Sequence, residues 1–389
     1  MLARLALKNL LGAGLRTWLN VLVLSFSFVT IIGTQGLLEG MNDQVAQAMI
    51  DTEYGGGQYW HEAYDPYDPL TLGSAHASLS PHLAALIEQG KAEPVLVLQG
   101  SLSLRGRVRT ILIKGINPDQ ALLRLPASLL SAGPGTIPAI IGARMARVAG
   151  ISEGDEVTLQ WRDARGTFDA RDVMVTGVFT TSVQSVDNNQ IWIPLDTLRN
   201  LARMEGEATL VVVASGANTP AAGRGWHFKD LEYLLSDIRE VVRSKTSASS
   251  LVYVILLLLA MLAIFDTQVL SVWRRRREIG TLMALGMTRT QVIQLFTLEG
   301  AAHGVLAALL AALYGIPLLG TLARNGWELP AVTESYGFAI GERLFPVYTY
   351  ALVAGTTLLV LLVTAIVSFI PVRRIAQLKP TDALRGKFS

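Results

Sequence analysis

Cysteine is absent from the 389 residues of this chain, and charged residues make up only 16% of them. Without cysteine, any part of the chain that folds outside a membrane must be stable without disulfide bonds, which excludes a small secreted scaffold held by disulfides. The formal net charge is only +2. The basic residues lie at the ends of apolar runs instead of covering one face of a soluble domain, so we expect no nucleic acid among the partners.

Catalytic and cofactor motifs are missing as well. No G-x-x-x-x-G-K-[ST] segment occurs, so ATP and Mg would have to be bound by a different chain. The five histidines show no H-E-x-x-H or other paired spacing, which predicts no metal site. Nothing matches the G-x-S-x-G motif of hydrolases. We therefore expect this chain not to be an enzyme and to hold no cofactor of its own.

Apolar length is what the sequence has in abundance, since 51% of its residues are hydrophobic. A membrane-spanning helix needs about 20 apolar residues, and four runs reach that length: 17–38, 251–272, 292–322 and 347–369. We expect Pro317 to kink or end the third run and Pro371 to end the fourth. A cleaved signal peptide is the rival interpretation of the first run. Its apolar core is too long for one, and no A-x-A site follows.

Basic residues mark the sides of the membrane. They cluster before the first span, in a row of four at Arg274, Arg275, Arg276 and Arg277, and after the fourth span. Such clusters are typical of the cytoplasmic side, and the row of arginines is typical of a topology anchor. This pattern predicts four spans with both termini in the cytoplasm.

The chain is thereby divided into six parts. We predict an interfacial helix and the first span in residues 1–41, an extracytoplasmic α+β domain in 42–243, the second span with a stalk helix in 244–273, a cytoplasmic loop in 274–289, the third and fourth spans with a short outer loop in 290–371, and a cytoplasmic tail in 372–389. The stalk rests on an apolar stripe in 229–244 and on the lack of a strong breaker before the second span.

Alternating apolar residues and turn signals place the elements of the outer domain. Strands are predicted at 58–61, 95–98, 110–114, 191–193 and 209–213, a hairpin at 157–161 and 173–175, and helices at 140–148 and 195–204.

The loop after the second span has the pattern of a short helix. Ile279, Leu282, Met283 and Gly286 recur at i, i+3, i+4 and i+7, and Gly286 suits the left-handed position that ends a helix. Thr288 with Gln291 predicts a capping box at the start of the next span. We expect the apolar stripe of the short helix to need a partner, because the helix cannot bury the stripe alone.

Ionisable and small residues inside the spans carry further expectations. For Asp266, two alternatives stay open, a pair with a neighbouring arginine at the interface and a functional role as a polar residue inside the membrane. Glu299 and His303 share a helix face, which leaves mutual pairing and a role in coupling both open. Small residues recur every fourth position in the third span, which predicts a seam for close helix packing: Gly300, Gly304, Ala308 and Ala312.

At this point three stretches resemble a known family. RRRREIGTLMALGMTRTQVIQLFTLEG, PVRRIAQLKPTDALRG and LARLALKNLLGAGLRTWLN are similar to the permease subunits of the FtsX, MacB and LolC/LolE group of ABC transporters. IIGARMARVAGISEGDEVTL resembles the periplasmic core domain of MacB and LolC/LolE. The resemblance implies an α-helical membrane bundle with four transmembrane helices and a large extracytoplasmic α+β domain of MacB periplasmic-core type between the first two.

The resemblance also implies partners and a mechanism. Such permeases pair with two ABC ATPase subunits and with a second permease protomer, identical or paralogous, in the bacterial inner membrane, and a periplasmic acceptor or adaptor protein and membrane lipid are further expected partners. ATP hydrolysis then extracts or exports lipoprotein, lipid or peptide at the outer leaflet by mechanotransmission. The alternative is an FtsX-like regulatory permease that transports nothing and activates a partner such as a cell-wall hydrolase.

Two sets of residues are expected to serve this mechanism. The ATPase-coupling set, implied by the resemblance, comprises Glu278, Ile279, Leu282, Met283, Leu285 and Gly286. A gate between the first and second spans is expected at Ser27, Thr30 and Val254, because small and hydroxyl residues pack loosely enough for helices to part.

Overall fold

The computed structural model describes residues 15–104, 106–131, 135–181, 184–217, 223–236, 239–240, 285–328 and 343–375, and, within 251–283, residues 251, 253–255, 257–259, 261, 262, 265, 266, 269, 270, 273–275, 279–281 and 283. The chain divides into two compact units. One comprises Met1–Met41, Val241–Glu328 and Arg343–Ser389, and the other comprises Asn42–Glu240 and Leu329–Glu342. We refer to them as the helical unit and the outer domain.

Eight helices have both ends among the described residues. They are α1 (Leu15–Met49), α2 (Pro81–Glu88), α3 (Ala143–Ala149), α4 (Gln184–Asp187), α5 (Leu195–Ala202), α6 (Leu231–Leu234), α7 (Arg289–Asn325) and α8 (Tyr350–Ile375). A π-helical turn, Ile50–Tyr54, follows α1, and short 3-10 turns lie at Pro69–Gly73 and Ala127–Leu130.

Three described helices are long and apolar enough to cross a membrane: Trp18–Tyr54, Arg289–Asn325 and Tyr350–Arg373. They correspond to the first, third and fourth predicted spans. The second predicted span, 251–272, lies in large part outside the described residues. Apolar side chains such as Leu309, Leu313 and Ile316 are 63%, 76% and 71% exposed on α7, as expected of a surface that faces lipid or another apolar helix.

Both prolines lie inside helices. The predicted end at Pro371 is wrong, and of the two outcomes expected at Pro317, a kink or an end, the structure excludes the end. α7 continues past Pro317 to Asn325, and α8 continues past Pro371 to Ile375. A proline removes one hydrogen bond from a helix, but packing against neighbouring helices can stabilise the chain through it.

The small-residue seam of α7 also differs from its prediction. Gly300, Gly304, Ala307, Ala311 and Gly315 are buried, whereas Ala312 is exposed. A strict spacing of four residues advances about 40° around the helix at each step, since an α-helix has about 3.6 residues per turn. The packed seam therefore returns to the same face through one step of three residues. The apolar cluster at this seam also contains Val21, Leu24 and Phe28 of α1 and Val360 and Val367 of α8.

Eleven strands lie in the described part of the outer domain. They are β1 (Gln58–His61), β2 (Ala77–Ser78), β3 (Ala92–Leu104), β4 (Arg107–Ile116), β5 (Ile137–Gly142), β6 (Glu156–Arg162), β7 (Phe168–Phe179), β8 (Gln190–Pro194), β9 (Glu207–Ala208), β10 (Leu210–Val213) and β11 (Trp226–Lys229). Two further short strands, β12 (Trp327–Glu328) and β13 (Arg343–Leu344), pair in the helical unit.

One long strand gives the outer domain its architecture. The first part of β3 pairs with β10, and its second part pairs with β6. In addition, β4 pairs with β3 along nearly the whole length of β4. The strands β3, β4, β8, β5, β7 and β6 therefore close into a six-stranded barrel. Gly100 permits this closure, since a Cβ atom there would lie 2.6 Å from the carbonyl oxygen of Gln160.

The apolar cores of the outer domain follow from this arrangement of strands. The inward residues of the barrel form one apolar cluster, with Leu98, Ile113, Ile141, Leu159 and Ile193 among its members. A second cluster packs α2 against β1, β10 and β11, with Leu83, Tyr59 and Val211 at its centre. The predicted hairpin is confirmed as β6 and β7, and the predicted strand at 58–61 is β1.

Two predictions for the outer domain are wrong in part. Residues 140–142 belong to β5 and the helix begins only at Ala143, because these residues are completely covered by neighbouring strands and Met145 supplies the first core contact of the helix. Lys229 ends β11, so no helix begins there, and α6 starts after the N-cap Asp230. The continuation of the proposed stalk through 241–250 lies outside the described residues.

Candidate functional site

The loop that precedes α7 adopts the local structure that its sequence predicts. Gly286 has a φ of +98°, and its N–H donates to the carbonyl of Met283 at 3.1 Å. The Thr288 hydroxyl accepts from the Gln291 N–H at 3.3 Å, and the Gln291 side chain accepts from the Thr288 N–H at 2.9 Å. This capping box satisfies two of the free N–H groups at the start of α7.

Two residues of the apolar stripe, Ile279 and Met283, are covered by other helices of the same chain, which corrects for them the expectation that a separate partner must cover the stripe. Ile279 is 2% exposed and lies in a cluster with Val292, Phe296 and Val372. Met283 packs against this cluster from its edge. The tight turn at Gly286 brings the loop back onto α7, which is why these two residues are covered without a partner. Leu285, by contrast, is 80% exposed.

An ion pair joins the loop to α7. Nη1 of Arg275 lies 3.0 Å from Oε2 and 3.3 Å from Oε1 of Glu299, and the guanidinium lies 5.1 Å from the centre of the Phe296 ring. The Glu299 side chain is 7% exposed and that of Arg275 is 24% exposed. Arg275 therefore neutralises a buried carboxylate on α7.

Of the two alternatives left open for Glu299 and His303, this geometry does not show mutual side-chain pairing, and a role in coupling stays a prediction. The carboxylate of Glu299 faces Arg275, and Nδ1 of His303 donates to the backbone carbonyl of Glu299 at 2.9 Å. Sequence reasoning missed the pair with Arg275 because the two residues are 24 positions apart, on opposite sides of a turn. The one available signal was a carboxylate just inside an apolar helix that follows a basic cluster.

The remaining predicted residues are placed as follows. Arg274 and Asp266 are exposed, whereas Arg276, Arg277, Glu278 and Leu282 lie outside the described residues. Among the described residues, no group of three His, Asp or Glu side chains is arranged to bind a metal ion.

The residues of the predicted gate occupy different surroundings. Ser27 is 6% exposed and donates to the carbonyl of Val23 at 3.1 Å, Thr30 is half-buried, and Val254 is 51% exposed. On the same helix, the Ser25 hydroxyl lies 3.4 Å from the Tyr314 hydroxyl of α7. Part of the small-residue face of α1 thus packs on α7.

Two family models match the chain. One, described as MacB-like periplasmic core domain, matches residues 17–225, which is more than half of the chain. The other, described as FtsX-like permease C-terminal, matches residues 250–380.

Individual proteins are similar to the chain as well. The chain is 24% identical to the macrolide export ATP-binding/permease protein MacB of Sodalis glossinidius, over 98% of this chain and 60% of that protein, so it spans less than two thirds of that relative. It is 22% identical to the lipoprotein-releasing system transmembrane protein LolC of Neisseria meningitidis, over 76% of this chain and 77% of that protein. A solved extracellular domain of the noncanonic ABC-type transporter YknZ from Gram-positive bacteria is 14% identical, with a TM-score of 0.26, over 41% of this chain and 83% of that domain.

Proposed function

The chain belongs to the family of FtsX-, MacB- and LolC-related ABC transporter permeases, and on this premise we propose that it is the membrane subunit of a transporter whose ATPase is a separate protein. In this proposal two ATPase subunits bind ATP and Mg, and two permease protomers, identical or paralogous, stand together in the bacterial inner membrane. Each stroke moves the outer domain and releases lipoprotein, lipid or peptide at the outer leaflet, where a periplasmic acceptor or adaptor protein receives it.

The observation that supports this proposal is the attachment of the cytoplasmic loop to α7. A loop that receives force from an ATPase transmits it only if the loop is fixed to a membrane helix. Ile279 is buried against Val292 and Phe296, and Arg275 holds Glu299. A force applied to this loop would therefore move α7 with it, because these contacts prevent the loop from bending away from the helix.

We further propose a division of labour within the coupling set. Ile279 and Met283 hold the loop on α7, Gly286 forms the turn, and the exposed Leu285 contacts the ATPase. Glu278 and Leu282 complete the coupling set. An exposed leucine at the tip of a folded loop is typical of a docking contact, because it is buried only when a partner arrives.

A pair of leucine variants tests the docking contact. In Leu285→Asp, a charge enters the apolar contact, and we expect ATP hydrolysis by the ATPase that co-purifies with the chain to fall at least tenfold, since an unpaired buried charge is costly. Leu70→Asp is the matched control, because Leu70 is 85% exposed in the outer domain. Equal ATP hydrolysis in both variants would reject Leu285 as the docking residue.

A crosslink tests the gate. In the otherwise cysteine-free chain, Thr30→Cys and Val254→Cys would be joined, with Ser27→Cys and Val254→Cys as a second pair. We expect the joined protein in reconstituted membranes to stop ATP-dependent release of acylated molecules while the reduced protein resumes it. Continued release with a complete crosslink rejects the gate. Continued ATP hydrolysis with no acylated molecule ever released from the natural protein would favour the regulatory, FtsX-like function instead.

A further inference from the structure

The outer domain contains a cavity of about 1140 Å³ that none of the predicted sites uses. It lies between the loop at residues 64–72, the adjoining faces of β3 and β4, the residues that lead into β8, and the end of α6. Pockets that enclose small ligands usually measure about 300–1,000 Å³. The cavity is therefore large enough for a small organic molecule with an extended body.

Aromatic side chains form one wall of the cavity. The Trp60 ring makes edge-to-face contacts with Tyr64 at 5.0 Å and with Tyr233 at 5.9 Å between ring centres. The Trp60 indole N–H donates to Oε1 of Gln58 at 2.7 Å, and Nε2 of Gln58 donates to the backbone carbonyl of Glu53 at 2.7 Å. These bonds fix the wall before any ligand arrives, which reduces the entropic cost of binding.

A buried ion pair lies in the cavity lining. Lys114 is 3% exposed, forms an ion pair with Glu53, and its ammonium lies 4.9 Å from the centre of the Trp192 ring. A buried ion pair seldom stabilises a fold more than apolar residues of similar size would. Glu53 accepts one of the three N–H bonds of the ammonium. Lys114 can therefore also donate to a carbonyl oxygen that enters the cavity.

Asn188 supplies a hydrogen-bond acceptor in the cavity lining, whereas Lys114 supplies a donor. Its Oδ1 is buried and accepts no hydrogen bond from the described part of the chain, a state that costs free energy unless a donor reaches it. The neighbouring Asn189 has a left-handed φ of +59°, and its carbonyl accepts from the Leu112 N–H at 2.8 Å. This bond to β4 holds Asn188 at the cavity.

We propose that this cavity binds a neutral amphiphile that carries a secondary amide. The amide N–H donates to Oδ1 of Asn188, an amide carbonyl accepts from Nζ of Lys114, and the apolar body lies against Trp60 and the aliphatic lining. The ligand is neutral because Glu53 and Lys114 already neutralise each other. The tyrosine at the wall stays a neutral phenol, because burial and, secondarily, Glu53 and Asp65 raise the pKa of Tyr64.

The test compares two probes that differ only in the N–H group. The full chain in lipid nanodiscs is titrated with N-benzyloctanamide and with benzyl octanoate, and heat of binding is measured against empty nanodiscs. We expect saturable binding of the amide and at least tenfold weaker binding of the ester. Asn188→Leu should remove this preference, so that both probes bind with similar affinity.

A second pair of variants separates the cavity from the rest of the domain. Gln99→Trp places a large ring in the lining and is expected to abolish binding, whereas Gln160→Trp, on β6 and outside the lining, is expected to bind like the natural chain. No saturable binding of the amide to the natural chain, an ester that binds equally well, or equal loss in both tryptophan variants would overturn the proposal. None of these measurements involves ATP, so they stand apart from the docking and gate experiments.

Discussion

The guanidinium of Arg275 contacts both carboxylate oxygens of Glu299, at 3.0 and 3.3 Å, across the turn between the loop at 274–289 and α7. Both contacts come from the same nitrogen, Nη1, and they are charge-assisted hydrogen bonds, which are stronger than those between neutral groups. Because the Glu299 side chain is almost fully buried, the carboxylate depends on this partner for its charge to be tolerated.

Removal of Arg275 is therefore expected to destabilise the helical unit. Arg275→Met leaves the Glu299 carboxylate without its cation and should cost about 2 kcal/mol, somewhat less than for a fully buried pair. The measurement is thermal unfolding of the purified chain in detergent. Arg274→Met is the matched control, since Arg274 is exposed. The double variant Arg275→Met with Glu299→Leu should recover most of the loss, and a double variant as unstable as Arg275→Met alone would show that the pair contributes little.

Two glycines of α7 should respond in opposite directions to alanine. A Cβ atom at Gly304 would lie 2.7 Å from Oγ1 of Thr364 on α8, whereas a Cβ atom at Gly320 would meet nothing within 4 Å. We expect Gly304→Ala to lower the melting temperature because α7 and α8 must separate. Gly320→Ala should raise it slightly, since alanine is favoured over glycine in a helix by about 0.5–1 kcal/mol. Shifts of the same sign in both variants would contradict the close packing at Gly304.

The stability of the outer domain is expected to depend on pH through Glu93. This residue is 6% exposed, and burial raises the pKa of its carboxyl from 4.5 to about 7, although the Asn117 N–H and the Arg199 charge oppose the increase. Below pH 4.5 the carboxyl is protonated in both states. Between pH 4.5 and 7 the unfolded chain loses the proton while the folded chain keeps it, so the free energy of unfolding falls as pH rises, by about 2 kcal/mol after allowance for solvent screening.

Hydrogen exchange of the β3 amides in the full chain at different pH measures this effect. The free energy of opening, corrected for intrinsic exchange rates, should decrease from pH 5 to pH 8 in the natural chain. Glu93→Gln should flatten the slope, and Glu156→Gln, at an exposed position on β6, should leave it unchanged. An identical slope in Glu93→Gln and the natural chain would mean that another group is responsible.

Labelling of single cysteines tests the topology. Arg165→Cys in the outer domain is expected to react with a thiol reagent that cannot cross the membrane when the reagent is added from outside. Leu285→Cys is expected to react only after the cytoplasmic side is opened. Because the chain has no other thiol, each signal belongs to one position. Reaction of Arg165→Cys only from the cytoplasmic side would invert the proposed arrangement.

The sequence by itself determined the features that depend on neighbours only a few residues apart. The capping box of Thr288 and Gln291, the turn at Gly286 and the hairpin of β6 and β7 all follow from side-chain chemistry or period-two alternation within one short segment. The lengths of the apolar runs likewise predict three of the helices that are long enough to span a membrane. These interactions act within one or two turns, so the local pattern carries them completely.

Only the tertiary structure decided the features that join distant segments. β3 continues past its partner β10 to pair with β6, Arg275 reaches Glu299, and Ile279 is covered by Val372 from near the carboxyl end. The buried small residues of α7 depart from a strict spacing of four residues, because the residues that pack lie on one face of a helix with 3.6 residues per turn. No periodicity in the sequence links these distant residues, since their proximity depends on how whole helices and strands pack. The cavity beside Lys114 and Asn188 likewise depends on the packing of distant segments.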